Sequence, residues 1–223
     1  GPGLYVVNVD SSYFASANQA ESWPGSFVAQ GFVSPVTGLT VDFGVDENER
    51  AYKNPALFAG EYLAKALTAR GINSSVGKEV VASANATQIA SVQSARVIDI
   101  IERMVTTSNN TMAEFLSHQV GKRNNNDSFA GSAQLILKEI AAAGINSAGL
   151  EIHDGSGLSS ENKVTAQTLV SAIRVSHKNS SLTWPLISGL PIAGVSGTLE
   201  ERFAAADSGR GYVRAKTGTL SGV

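Results

Sequence analysis

Between Asn54 and Lys178 the chain carries five stretches with helical spacing of apolar residues, and most begin or end on a residue with a defined capping chemistry. No other feature constrains the fold as much, because each one-faced helix must bury its stripe against a second layer. The first predicted helix opens with Asn54 as N-cap and Pro55 at its first position, repeats Leu57, Tyr62, Leu63, Ala66 and Leu67 at helical spacing, and stops at Gly71. Val97, Ile98, Ile101, Met104 and Val105 mark a second, ending near Thr107. Thr111 and Glu114 form a Thr-x-x-Glu capping box for a third, TMAEFLSHQV. SFAGSAQLILKEIAAAG is a fourth, capped by Asp127 and closed by Gly144, and VTAQTLVSAIRVSHK is a fifth. GTLEERFAAA predicts a short sixth.

Strand-like segments frame this helical middle. LYVVNV is rich in β-branched residues, and GLTVDFGV alternates apolar and polar positions. SSVGKEVV, LEIHDGSGLS and the closing GYVRAKTGTL read the same way. The expectation is an α+β layered fold whose terminal strands pair in one sheet.

Composition removes several classes of function. A formal net charge of −2 over 223 residues leaves no electrostatic footprint for nucleic acid. No apolar run reaches the roughly 20 residues that span a bilayer, and no secretory signal is visible. The absence of cysteine excludes disulfides, thiolate zinc sites and a cysteine nucleophile in this chain. No His, Asp and Glu residues group at metal-ligand spacing, so neither a metal nor a cofactor is expected.

Three short motifs carry chemistry. Ser108 and Asn110 stand two residues apart just ahead of a helix, where a hydroxyl and a carboxamide can face one cleft; alone, they also suit helix caps. Lys216-Thr217-Gly218-Thr219 sets an ammonium, two hydroxyls and a glycine at a strand end. On a strand Lys216 and Gly218 face one side, Thr217 and Thr219 the other, and Gly218 leaves room for a ligand backbone. HDGSGLSS is a tight glycine turn.

In order, Ser-x-Asn, DGSGLS, AGVSGTLEERF and Lys-Thr-Gly resemble the class C low-molecular-mass penicillin-binding proteins, the D-alanyl-D-alanine carboxypeptidase/endopeptidases of bacterial cell walls. The likeness runs from about SWPGSF to the last residue, with Asn109 where the usual motif has Asp. It implies a serine β-lactamase/transpeptidase-like α+β fold, an antiparallel sheet flanked by helices and incomplete at both ends. Residues 1–223 would then be a partial penicillin-binding domain. The resemblance implies catalytic roles for Ser108, Asn110 and Lys216, and substrate-binding roles for Thr217, Gly218 and Thr219. It also implies peptidoglycan peptides and β-lactam antibiotics as partners, no nucleic acid, and an extracytoplasmic location.

The family's nucleophile lies in a Ser-x-x-Lys upstream of these motifs, and no suitable match is present here. Ser75-Val76-Gly77-Lys78 falls in a strand-like segment, where residues three apart do not share a helical face, and Ser160-Glu161-Asn162-Lys163 comes downstream of Ser108. The Ser-x-x-Lys segment and the strands after Val223 are therefore expected to be missing, and a complementary segment bearing the nucleophilic serine is a candidate partner. GINSSVGKE fails as a P-loop because Glu79 replaces the magnesium-binding hydroxyl. A Ser-His-Asp triad is disfavoured because DGSGL lacks the G-x-S-x-G elbow and the three histidines are scattered, with His118 and His177 in polar helix segments. Two alternatives to the carboxypeptidase stand: a β-lactamase, and a non-catalytic wall-binding domain.

Overall fold

The computed structural model describes residues 3–14, 17–48, 50–178 and 180–218. The chain divides into two compact units. Unit 1 comprises Gly1–Ser91, Glu114–Ile136 and Ile152–Asn162; unit 2 comprises Val92–Ala113, Leu137–Glu151 and Lys163–Val223.

Unit 1 opens with strand β1 (Tyr5–Val9), helix α1 (Pro55–Thr68) and strand β2 (Ser74–Glu79). β1 and β2 pair in parallel, in the register Tyr5↔Ser74, Val6↔Ser75 and Val7↔Val76. Parallel neighbours need a long crossover, which the segment containing α1 supplies. Asn54 caps α1 as predicted, its Oδ1 accepting from the Leu57 N–H at 2.9 Å. Ala56, Gly60 and Ala64 form a buried small-residue stripe at a spacing of four. A Cβ on Gly60 would come within 2.5 Å of Val9 Cγ1, so the glycine permits close packing of helix on strands.

The expected antiparallel sheet is not what forms. Among the described residues the one sheet is this two-stranded parallel pair, and antiparallel pairing is confined to isolated bridges at Val45↔Ala51, Glu151↔Lys163 and Ile192↔Arg214. Among the described residues β1 takes β2 as its partner, and Arg214 takes Ile192. GLTVDFGV is not a strand, because Asp42, Phe43 and Gly44 adopt successive positive φ values of 47, 57 and 72° and make a single 3₁₀ turn. Local backbone geometry there overrides a period-two pattern.

The apolar core of unit 1 gathers Ala20, Trp23, Phe27, Val33 and Leu158, with Phe129 packed against it. Phe129 meets Trp23 edge-on at 5.3 Å and His118 at 4.5 Å between ring centroids. His118 is fully buried rather than lying on a polar surface, and its Nδ1 lies 3.0 Å from the Glu114 carbonyl. A carbonyl only accepts, so Nδ1 carries the proton.

Unit 2 is built on α2 (Val97–Thr107), α5 (Ala166–Lys178) and α6 (Ser180–Ser188). α6 contains Pro185 and had no sequence signal strong enough to mark it. It packs against α2, where the Thr106 hydroxyl donates to the Gly189 carbonyl at 2.7 Å and Ser188 Oγ donates to Glu102. The predicted helix GTLEERFAAA shrinks to a 3₁₀ turn at Gly197–Leu199. Asp207 ends it by accepting the Ala204 N–H at 2.8 Å, a turn chemistry that competes with helix.

The remaining two helices, α3 (Asn110–Arg123) and α4 (Phe129–Ala142), have different caps from those predicted. Asn109 Oδ1, not the Thr111 hydroxyl, accepts the first-turn N–H, from Met112 at 2.8 Å. Ser128 Oγ accepts from Gly131 at the start of α4, the place assigned to Asp127. Gly144 closes that helix region at φ +75°.

Candidate active site

α2 ends at Thr107 and α3 begins at Asn110, so Ser108 and Asn109 alone make the joint. Ser108 takes the left-handed conformation, φ 56° and ψ 44°, and its N–H returns to the Met104 carbonyl. A non-glycine residue there costs about 1–2 kcal/mol, a strain the surrounding fold must maintain. Capping of α3 falls to Asn109, which leaves the hydroxyl of Ser108 available for other contacts. Asn110 is the first residue of α3 and is half-buried.

Lys216 reaches this joint from 108 residues away: its Nζ donates to Ser108 Oγ at 2.5 Å and to the Thr217 carbonyl at 2.8 Å. Partial burial of the ammonium lowers its pKa, although the side chain as a whole stays exposed. No like charge contributes to that shift, so desolvation alone sets the direction. The Thr217 hydroxyl lies 2.7 Å from that of Thr198, on the 3₁₀ turn. Among the described residues no heavy atom lies within 4 Å of where a Cβ on Gly218 would stand. Thr219 lies outside the described residues. Among the described residues the expected strand through this segment is reduced to the Arg214 bridge, and backbone contacts with the 191–199 loop hold the stretch leading to Lys216.

The sequence singled out the glycine turn but missed what holds it. Glu114 is fully buried, and it accepts the Ser156 N–H at 2.7 Å and the Gly155 N–H at 3.1 Å. Burial raises its pKa to about 7, with the nearby Asp154 adding, while the hydrogen bonds from Ser156 and Gly155 pull the other way. Asp154 accepts from Trp23 Nε1, Gly157 N, Ser159 N and Asn162 Nδ2, all within 2.6–2.8 Å. Its lone pairs are spoken for, and His153 pairs with Glu161 at 3.4 Å, so the His153-Asp154 neighbourhood is a turn anchor with no triad in it. No apolar residue stands three or four positions from Glu114 on its helix, so periodicity did not mark its inward role.

Ser75 and Lys78 lie on β2, and Lys163 pairs with Glu151 at 2.9 Å. Among the described residues no group of His, Asp and Glu is arranged to hold a metal ion, and no helix is long and apolar enough to cross a membrane.

The fold is that of the transpeptidase-like penicillin-binding proteins: penicillin binding protein 4 from Haemophilus influenzae matches 96% of this chain and 63% of its own with a TM-score of 0.74, at 21% identity. The D-Ala-D-Ala carboxypeptidase 3 (S13) family model matches residues 46–223, and the chain belongs to that family. Carboxypeptidase Rv3627c of Mycobacterium tuberculosis is 37% identical over 98% of this chain, and carboxypeptidase DacB of Mycolicibacterium smegmatis is 36% identical over 97%. These alignments cover 49% and 48% of the two relatives, so the chain spans about half the length of the curated relatives it matches.

Proposed function

We propose that this chain contributes the proton-relay and carboxylate-binding wall of a serine D-Ala-D-Ala carboxypeptidase/endopeptidase acting on peptidoglycan stem peptides. The acylated serine comes from a Ser-x-x-Lys outside these 223 residues. The contact between Lys216 Nζ and Ser108 Oγ carries the reading, because it joins two motifs that only a shared cleft would bring together.

In the reaction the nucleophilic serine attacks the penultimate D-alanine carbonyl, the peptide C–N bond breaks, and water later hydrolyses the acyl-enzyme. The Lys216 ammonium occupies a lone pair of Ser108 Oγ, which directs the hydroxyl proton away from it, toward the departing amine. The same ammonium supplies positive potential for the terminal carboxylate. Asn110 hydrogen-bonds the substrate backbone, and the Thr217 and Thr219 hydroxyls receive the carboxylate. The Thr219 N–H serves as one oxyanion donor, whose loss would raise the barrier by about 2.7–4 kcal/mol. β-Lactams enter as mimics of the dipeptide; the Haemophilus protein, solved in complex with a β-lactam, matches 80% of this chain at 25% identity and a TM-score of 0.64. Action on the wall places the protein outside the cytoplasm, with a segment bearing the serine as its complement.

Incubation with a fluorescent penicillin and denaturing electrophoresis tests this. The 223-residue chain should carry no label, and the polypeptide extended to the length of its relatives should be labelled until Lys216→Ala abolishes it. A labelled band from the 223-residue chain would overturn the assignment of the nucleophile, and full labelling of the Lys216→Ala protein would overturn the site.

A further inference from the structure

Thr217 is oriented by a residue that the chemistry above does not use. The 3₁₀ turn Gly197–Leu199 is braced on several sides: Leu199 is buried, its carbonyl accepts the Gly194 N–H at 2.9 Å, and Ser196 Oγ accepts the Ile192 N–H at 3.1 Å. Gly197, at φ +57°, packs so closely on the Thr106 carbonyl that a Cβ would collide with it. Thr106 is two residues before Ser108. The same loop holds the segment leading to Lys216, through Ala193 N–H to the Val213 carbonyl at 2.9 Å, Gly211 N–H to the Ala193 carbonyl at 2.8 Å and Ala215 N–H to the Pro191 carbonyl at 3.1 Å. From this brace one hydroxyl reaches into the motif: Thr198 Oγ1, 2.7 Å from Thr217 Oγ1.

We propose that Thr198 is a positioning residue that orients the Thr217 hydroxyl toward ligands with a free carboxylate. The inference rests on the carboxylate-binding reading of Thr217. An ionised carboxylate only accepts, so the Thr217 proton must point at it. The Thr217 oxygen then has to accept from elsewhere, and Thr198 is the donor within reach. The two hydroxyls and the carboxylate form a one-directional chain in which each bond polarises the next. The bond from Thr198 also selects among the few χ1 rotamers of the β-branched Thr217. A neutral ester at the same place also only accepts, but through a bond about half as strong, so it gains less from that orientation.

The test compares acylation rates of the family-length polypeptide by a penicillin with a free carboxylate and by its methyl ester. Thr198→Val keeps the shape and removes the donor, and should cut the preference for the free acid by up to about tenfold, the worth of one hydrogen bond to a charged group, while slowing the ester less. Thr198→Ser should restore the preference. If Thr198→Val slows both ligands equally, or changes neither, Thr198 is only part of the scaffold and the inference fails. Thr217→Val separates the two levels: loss of the preference there but not in Thr198→Val sinks Thr198 alone, and a preference kept in Thr217→Val sinks the reading of Thr217 along with it.

Discussion

Replacing Glu114 with glutamine removes a titration without removing a shape. The glutamine carbonyl can still accept from the Ser156 and Gly155 amides that the carboxylate now holds. In the unfolded chain the carboxyl loses its proton near its ordinary 4.5, but in the fold only near 7. Between those values the folded state holds more protons than the unfolded one, so stability falls as pH rises. A displacement of that size corresponds to about 3 kcal/mol, complete by the time pH has passed the folded value. His118, one turn along α3, acts in the opposite sense: burial lowers its pKa, so stability is lost as pH falls below about 6.5 and the unfolded imidazole takes up a proton. Asp154 also faces Glu114 and is kept in both proteins. The informative quantity is therefore the difference between Glu114→Gln and the parent, in which His118 and Asp154 cancel. Thermal unfolding followed by circular dichroism from pH 4.5 to 8 should show the variant gaining about 6–12 °C relative to the parent across that range. Parallel curves with a constant offset would refute the reasoning, because they would mean that the Gly155 and Ser156 amides keep the carboxylate ionised throughout.

Other substitutions probe the supports of the site. Trp23→Phe removes the indole donor from Asp154 in a place where both residues are at most 6% exposed. Leaving that carboxylate one donor short should cost about 1–3 kcal/mol, read as a lowered urea midpoint with unchanged slope. Asn109→Ala deletes the cap of α3 and should cost about 1 kcal/mol by the same measurement.

The helices were the legible part of this chain. Asn54-Pro55, Gly71 and Gly144 marked helix ends through interactions that complete themselves within a few residues, and α1, α2, α4 and α5 stand where the periodicity put them. Strands were read less well, for a physical reason: a strand exists only through a partner. LYVVNV and SSVGKE found each other across α1, while among the described residues LEIHDGSGLS and GYVRA were left with single bridges. Two caps fell on residues near the predicted ones, Asn109 ahead of Thr111 and Ser128 after Asp127.

The same division holds at the site. The ordered set Ser-x-Asn, DGSGLS, AGVSGTLEERF and Lys-Thr-Gly was enough to name the family, since motif chemistry is a property of residue type and spacing. Sequence alone could not supply the 2.5 Å approach of Lys216 to Ser108, the left-handed joint that presents Ser108, or the Thr198 hydroxyl beside Thr217. The two side-chain contacts join residues 108 and 19 positions apart. Local rules specify which groups a segment carries and how its own backbone turns; only packing of distant segments decides which of those groups meet.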